Sequence, residues 1–180
     1  MSMRVAPLAP SERDERQAAL VAHAGGERAI FTTLVRNPDV FGDFVVFGQR
    51  LLNQSTLDPR VRELLIMRVA GRCRAPYIWG HHDVIGRAAG LTDDDLAALA
   101  KPIVEDGDPL RALLLRAADE LVADHRLSDR IWGELAARYP TEQLIEICML
   151  VGSYAMLAGT LNSLGVQLEE GVEPPDWASG

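Results

Sequence analysis

The chain contains few cysteines, and they form none of the common cysteine-based sites. Its 180 residues include only two, Cys73 and Cys148, and neither belongs to a Cys-x-x-Cys motif or to a Cys/His metal-binding pattern. Two cysteines so far apart cannot build a disulfide framework. We therefore expect two reduced thiols that are buried, as free cysteines usually are.

The chain also lacks an excess of positive charge. Its formal net charge is -8, and the basic residues, nearly all arginines, are spread along the chain beside acids. This excludes a nucleic-acid surface, which needs clustered lysine and arginine. The first 16 residues contain no apolar stretch of signal-peptide length. We therefore expect a cytoplasmic protein.

No segment alternates between apolar and polar residues with β-branched enrichment, so the sequence predicts an all-α fold without a sheet. Capping signals mark the helix starts, including Asn37-Pro38, Asp58-Pro59 and Asp108-Pro109. The predicted core helices run over 38–52, 60–71, from 76 to a C′ glycine at 90, 93–100, 109–125, 129–139, and from a Thr141 cap to Gly165. We predict an N-terminal helical arm (1–30), one domain (31–168) and a C-terminal tail (169–180), whose Trp177 is expected to dock on the same chain or on a neighbouring subunit.

One apolar segment approaches the length that spans a membrane. Residues Leu144 to Leu161 are almost wholly apolar, but Glu146 interrupts them and no Lys or Arg flanks them closely. A helix that is apolar all round can also be the buried centre of a domain or of an oligomer. We predict the buried helix and no membrane association.

The informative stretch is Glu63 to Gly90, ELLIMRVAGRCRAPYIWGHHDVIGRAAG. Glu63 begins an apolar helix, where a carboxylate must be paired or hydrogen-bonded to offset its burial. A structural interpretation pairs it with Arg60 or another surface arginine. The alternative is a functional carboxylate.

His82 lies on the apolar face of the next helix when that helix is projected at about 100° per residue. Tyr77, Trp79 and His81 surround it in sequence. A histidine on such a face is either a hydrogen-bonded core residue or, oriented by a carboxylate, a general acid/base. Trp79 is equally well explained as a large core residue or as part of an aromatic pocket.

These residues resemble the carboxymuconolactone decarboxylase-like family, which shares its fold with alkyl hydroperoxidase D. The resemblance spans Phe31 to Leu168 and rests on a Glu in an apolar helix, on the run Tyr77-Ile78-Trp79-Gly80-His81-His82, and on the Arg-Ala-Ala-Gly-Leu helix end. It implies an all-α bundle with pseudo-repeated helix pairs, assembled as a trimer or hexamer.

The resemblance to the hydroperoxidase branch is incomplete. That branch carries Glu, then Cys-x-x-Cys, then His; the Glu matches Glu63 and the His matches His82, but Ala75 and Ile78 occupy the two cysteine positions. Thiol peroxidase chemistry needs an attacking thiolate and a resolving thiol. Cys73 leaves open an antioxidant activity through a single cysteine.

The leading hypothesis is therefore a cofactor-independent lyase or isomerase that acts on a small lactone or enol-type acid. His82 would be the general acid/base, Glu63 would orient it or share its proton, and Tyr77, Trp79 and His81 would line the substrate site. A decarboxylase also needs a group that binds the substrate carboxylate; the sequence offers Arg60, Arg68 and Arg72. A non-catalytic small-molecule binding protein is the other alternative. A metal site is rejected because adjacent helical histidines point about 100° apart.

Overall fold

The computed structural model describes residues 2–101 and 107–178, with the Ala100 side chain left out. This part of the chain forms nine α-helices and no strand, which confirms the all-α prediction. The helices are α1 (Glu15–Ala24), α2 (Ala29–Leu34), α3 (Pro38–Asn53), α4 (Pro59–Arg72), α5 (Pro76–Ala88), α6 (Asp93–Ala100), α7 (Pro109–Ala123), α8 (Asp129–Ala136) and α9 (Thr141–Leu164). Short 3-10 turns occupy Pro10–Glu12 and Asp176–Ala178.

The capping signals place the helix starts correctly. The side chains of Asn37, Asp58 and Asp108 each accept a hydrogen bond from a backbone N–H of the first helical turn, ahead of a proline at the first helical position. Thr92 and Asp95 form the predicted capping box before α6.

Several helix boundaries differ from the prediction. Thr141 is the first residue of α9 and not its cap, and α8 ends at Ala136, three residues before Tyr139. The short helix α2 was not predicted, because no side-chain cap marks its start.

The described chain divides into two compact units. One comprises residues 1–55 and 160–173, and the other comprises 56–159 and 174–180. In the first unit, Val21, Val35 and Phe41 are buried at the centre of a hydrophobic cluster. The predicted domain boundaries remain a prediction.

The second unit is centred on α4, which packs against α5, α6 and α7. The residues of α4 from Glu63 to Ala70 are all buried, including the charged Glu63 and Arg68. Arg68 donates through Nε and Nη2 to both carboxylate oxygens of Asp119, at 2.7 and 2.6 Å. This fork satisfies a buried charge that would otherwise be costly.

Helix α9 is, among the described residues, the one helix long and apolar enough to cross a membrane by length and composition. Leu150, Val151 and Ala158 on this helix are buried. Glu146, the charge within its apolar run, accepts hydrogen bonds from the Thr56 backbone N–H and hydroxyl at 3.0 and 2.6 Å. One side of α9 therefore packs inside the fold.

Candidate active site

Glu63 lies in the first half of α4 with its side chain fully buried. Each of its carboxylate oxygens accepts a separate hydrogen bond. Oε1 accepts from Arg62 Nε at 3.0 Å, and Oε2 faces His82 Nδ1 at 2.7 Å. The carboxylate therefore joins a neighbour on its own helix to a histidine on α5.

Two opposing effects act on the ionisation of Glu63. Burial raises the pKa of its carboxyl group, and the hydrogen bonds from His82 and Arg62, together with the positive charge of Arg62, lower it. The lowering effects prevail, so the pKa lies below its ordinary value of 4.5. Glu63 is therefore an ionised carboxylate at neutral pH, although it has no contact with solvent.

His82 lies on α5 with only 8% of its surface exposed. Its ring is hydrogen-bonded at both nitrogens, because Nε2 lies 3.2 Å from the Tyr154 hydroxyl of α9. An ionised carboxylate can only accept, so the hydrogen-bond network assigns the proton of the neutral ring to Nδ1. Nε2 is then the acceptor, and the Tyr154 hydroxyl donates to it.

Tyr154 completes a row of three hydrogen-bonded side chains, Glu63–His82–Tyr154. Its ring meets the His82 ring edge to face, with centroids 5.3 Å apart. Burial raises the pKa of the Tyr154 hydroxyl far above its usual range, and the charge of Glu63 adds to this effect. Tyr154 therefore stays protonated and can donate throughout the physiological pH range.

The three aromatic residues predicted to line the site lie beside it on α5. Tyr77 stacks on His81 with ring centroids 4.6 Å apart, as expected for helix neighbours four residues apart. Trp79 is buried and meets Trp177 of the C-terminal tail edge to face at 5.8 Å. The predicted tail tryptophan therefore docks on its own chain. Neither contact includes the His82 ring, and the substrate-binding role of these residues stays a prediction.

Sequence reasoning named two members of the buried network and missed two. Tyr154 had a usable signal, because a phenol inside an apolar helix usually needs a buried partner. Arg62 had none, since consecutive residues on a helix point about 100° apart. The structural interpretation paired Glu63 with Arg60 or another surface arginine. The arginine in the structure is Arg62, whereas Arg60 donates to Asp95 at 2.7 Å.

The other arginines proposed as carboxylate-binding groups are engaged elsewhere. Arg68 is committed to Asp119 and to the backbone carbonyls of Leu99 and Lys101. Arg72 lies 3.4 Å from the same aspartate. Both arginines therefore lie against Asp119 and not against Glu63.

The positions that match the peroxidase cysteines are buried apolar residues, Ala75 and Ile78. Cys73 caps the C-terminus of α4 and is partly buried. Burial raises the pKa of its thiol, and the charge of Arg72 opposes this only in part. Cys148 is partly buried too, and burial also raises the pKa of its thiol. Raised pKa values disfavour the thiolates that peroxide reduction requires.

Within residues 2–101 and 107–178, no three His, Cys, Asp or Glu side chains are grouped so that they could hold a metal ion.

Comparison with known proteins agrees with this architecture. The model of the carboxymuconolactone decarboxylase family matches residues 38–120, which include Glu63 and His82. No curated protein sequence matches the chain significantly.

Several solved structures share the fold at low sequence identity. A debrominase, Bmp8, in a cysteine-to-alanine variant bound to 2,3,4-tribromopyrrole, is 18% identical with a TM-score of 0.75, over 94% of each chain. An alkylhydroperoxidase AhpD core protein from Ralstonia eutropha JMP134, described as an uncharacterized peroxidase-related protein, is 18% identical with a TM-score of 0.73, over 97% of this chain and 100% of that one. A protein of unknown function from Agrobacterium tumefaciens is 18% identical with a TM-score of 0.62, over 73% of this chain and 92% of that one.

The family match covers residues 38–120, less than half of the chain, so this region is similar to the carboxymuconolactone decarboxylase family, and the solved structures show that the chain shares the helical fold of the alkylhydroperoxidase AhpD core.

Proposed function

We propose that this protein is a cofactor-independent acid/base enzyme, a lyase or isomerase, acting on a small lactone or enol-type acid. The observation that carries the proposal is the buried row Glu63–His82–Tyr154, with hydrogen bonds of 2.7 and 3.2 Å. A histidine held by a carboxylate on one nitrogen and facing a proton donor on the other is equipped for proton transfer.

Glu63 acts on the proton equilibrium of His82 and does not touch the substrate. By accepting the Nδ1 proton, it fixes the tautomer in which Nε2 carries a lone pair. When Nε2 accepts a proton, the resulting imidazolium lies against an ionised carboxylate in a buried setting. The charge that develops on the ring is therefore stabilised where it forms.

Tyr154 is the relay between His82 and the substrate. The Tyr154 oxygen accepts a proton from an acidic substrate carbon while its own hydroxyl proton passes to His82 Nε2. The electron pair of the broken C–H bond remains on the substrate as an enolate. Reversal of the relay onto another carbon completes an isomerisation.

A decarboxylation uses only the second half of this relay. The C–C bond to the carboxyl group breaks, carbon dioxide leaves, and the electron pair enters the dienolate of the lactone. His82, protonated beforehand, then passes a proton through Tyr154 to the carbon. The imidazole returns to its neutral form, and protons and electrons balance without a redox partner.

The redox alternative lacks comparable support. Two buried apolar residues, Ala75 and Ile78, stand at the peroxidase cysteine positions, and the pKa of Cys73 is raised. The names of the debrominase and peroxidase-related structures describe those proteins, and at 18% identity they support a common fold for this chain and nothing more specific.

The experiment is a turnover screen against γ-carboxymuconolactone and related lactone acids, with peroxide consumption followed in parallel. His82→Gln should abolish carbon dioxide release or lactone loss, whereas His23→Gln, a change at an exposed histidine of α1, should have no effect. Full activity in His82→Gln contradicts the proposal. Ligand-induced thermal stabilisation without turnover would favour the non-catalytic binding protein.

The same proposal includes a cytoplasmic location and assembly into a homo-oligomer, a trimer or hexamer, as the family resemblance implies.

A further inference from the structure

Arg62 is directed at the buried carboxylate although its position in α4 does not favour this. Consecutive helical residues point about 100° apart and normally do not meet. Yet Arg62 Nε lies 3.0 Å from Glu63 Oε1. The guanidinium therefore bends toward the site. It shares one carboxylate with His82, which occupies the other oxygen.

The Arg62 guanidinium keeps most of its donors. A guanidinium has five N–H donors, and in the described part of the chain Arg62 uses only Nε in a side-chain hydrogen bond. The two terminal nitrogens thus retain four N–H groups. The side chain is 14% exposed, so it is partly accessible from solvent.

Three other arginines of this unit use their terminal nitrogens in hydrogen bonds within the protein. Arg60 and Arg111 both donate to Asp95, and Arg68 uses Nε, Nη1 and Nη2 together. Arg62 stands apart from these three because its terminal nitrogens are unused. Two adjacent terminal N–H groups match the two oxygens of a carboxylate, the bidentate geometry that arginine favours.

The local charges also permit an anionic ligand. Arg62 and the ionised Glu63 cancel, so a substrate carboxylate enters a site without net charge when His82 is neutral. Once His82 takes a proton, that carboxylate also offsets the imidazolium. A neutral substrate would gain neither effect.

We propose that Arg62 binds the carboxylate of the substrate through its terminal nitrogens, and so restricts the substrate class to small organic acids. The inference rests on the proposed function, because it assumes that substrate approaches the Glu63–His82–Tyr154 row. Arg62 is a binding residue that sets specificity and takes no part in proton transfer.

The test compares acids with their methyl esters, which differ in charge but little in shape. Calorimetric titration of the wild type uses two pairs, muconolactone with its methyl ester and benzoate with methyl benzoate. At least one acid should bind more tightly than its ester. Arg62→Gln should weaken the binding of that acid by about 10- to 100-fold, which is the contribution expected of hydrogen bonds to a charged group. The affinity for the ester should not change.

Two further variants separate recognition from folding. Arg62→Lys keeps a counter-ion for Glu63 but loses the planar fork, so its affinity for the acid should lie between wild type and Arg62→Gln. Arg130→Gln removes an exposed arginine paired with Glu134 on α8 and has the same net charge as Arg62→Gln. It should bind the acid as the wild type does.

Three results would overturn the inference: no acid binding more tightly than its ester, unchanged acid affinity in Arg62→Gln, or equal weakening of acid and ester. The last would identify Arg62 as a purely structural counter-ion. A different result would show that only the proposed function is wrong. In that case the selectivity for acids still depends on Arg62, but His82→Gln retains turnover.

Discussion

At the scale of single residues, the site depends on the two hydrogen bonds that the carboxylate oxygens of Glu63 accept, one from Arg62 and one from His82. Glu63 is fully buried and yet ionised, because His82 and Arg62 hold its pKa below 4.5 against the effect of burial. This makes it a fixed negative charge next to the imidazole. We propose that the role of Glu63 is to position His82 and to stabilise positive charge on its ring.

Removing that charge should reduce turnover while leaving the shape of the site intact. In Glu63→Gln, the amide oxygen can still accept the Nδ1 proton, but the imidazolium loses its counter-ion. We expect kcat to fall by about 10²-fold or more, within the range for positioned acid–base groups, with a much smaller change in KM. Steady-state kinetics on the substrate found by the screen would measure this, and a kcat within a factor of about two of wild type would contradict the role.

Tyr154 can be tested by deleting a single oxygen atom. Tyr154→Phe keeps the ring that meets His82 at 5.3 Å and removes the proton relay. We expect kcat to fall by about 10²-fold and the melting temperature to change little. A variant that melts much lower but turns over normally would show that the hydroxyl is only structural.

The site residues that could be predicted from the sequence are the ionisable residues that lie among apolar neighbours. Glu63 in an apolar run and His82 on an apolar face both stood out, and the structure brings them within 2.7 Å. Tyr154 was harder to predict because tyrosine is common in buried helices. Arg62 was unpredictable because its contact depends on how a long side chain bends, which helical periodicity does not determine.

At the scale of helices, the local capping chemistry predicted the starts well. Asn37, Asp58 and Asp108 each precede a proline and cap the helix as expected. Helix ends were less predictable: α8 stops at Ala136, where no glycine or proline marks the boundary. Ends like this one depend on tertiary packing, which a local pattern does not contain.

Asp95 connects three helices of the second unit. Its fully buried carboxylate accepts hydrogen bonds from the backbone N–H of Thr92, the N-cap of α6, and from Arg60 of α4 and Arg111 of α7. Burial alone would raise its pKa, but the Thr92 cap and these two arginines lower the pKa to about 2. The pairing thus stabilises the folded state above the ordinary pKa of 3.8. That stability is lost as the pH falls from there toward about 2.

We therefore expect Asp95→Asn to lower the free energy of unfolding at neutral pH by about 3 kcal/mol, the usual cost of breaking a buried pair. The difference from wild type should shrink below pH 4, where the wild-type pairing is itself lost. Urea unfolding over a pH series would measure both. Asp94→Asn is the matched control: its carboxylate pairs with Arg111 but is 82% exposed, so its removal should have little effect. Equal destabilisation by the two variants would contradict this account.

At the scale of the whole molecule, the all-α class followed from the absence of any alternating pattern, and the structure confirms it. The division into two compact units was not predicted. It joins residues far apart in sequence, such as 1–55 with 160–173, and such long-range pairing leaves no trace in local periodicity.

The exposed face of α9 is the surface on which we expect the predicted homo-oligomer to assemble. Ile145, Met149 and Met156 are 59%, 49% and 56% exposed, and the exposed Gly152 and Gly159 continue their spacing of alternately four and three residues. This is the spacing of a helix that packs against another helix. We expect Met149→Glu to reduce the assembly to smaller species, as measured by light scattering during size-exclusion chromatography. Asp129→Lys, a surface change on α8, is the control. An unchanged mass in Met149→Glu would place the interface elsewhere.

The central claim is that His82 carries the proton, and deuterium incorporation tests it most directly. Wild type and His82→Gln would be incubated with the lactone acids in deuterium oxide, and the products analysed by mass spectrometry. With the wild type, the account predicts one solvent deuteron on the product carbon of a decarboxylation, and with His82→Gln it predicts neither product nor exchange. Product formed by His82→Gln at the wild-type rate, deuterated or not, would contradict it.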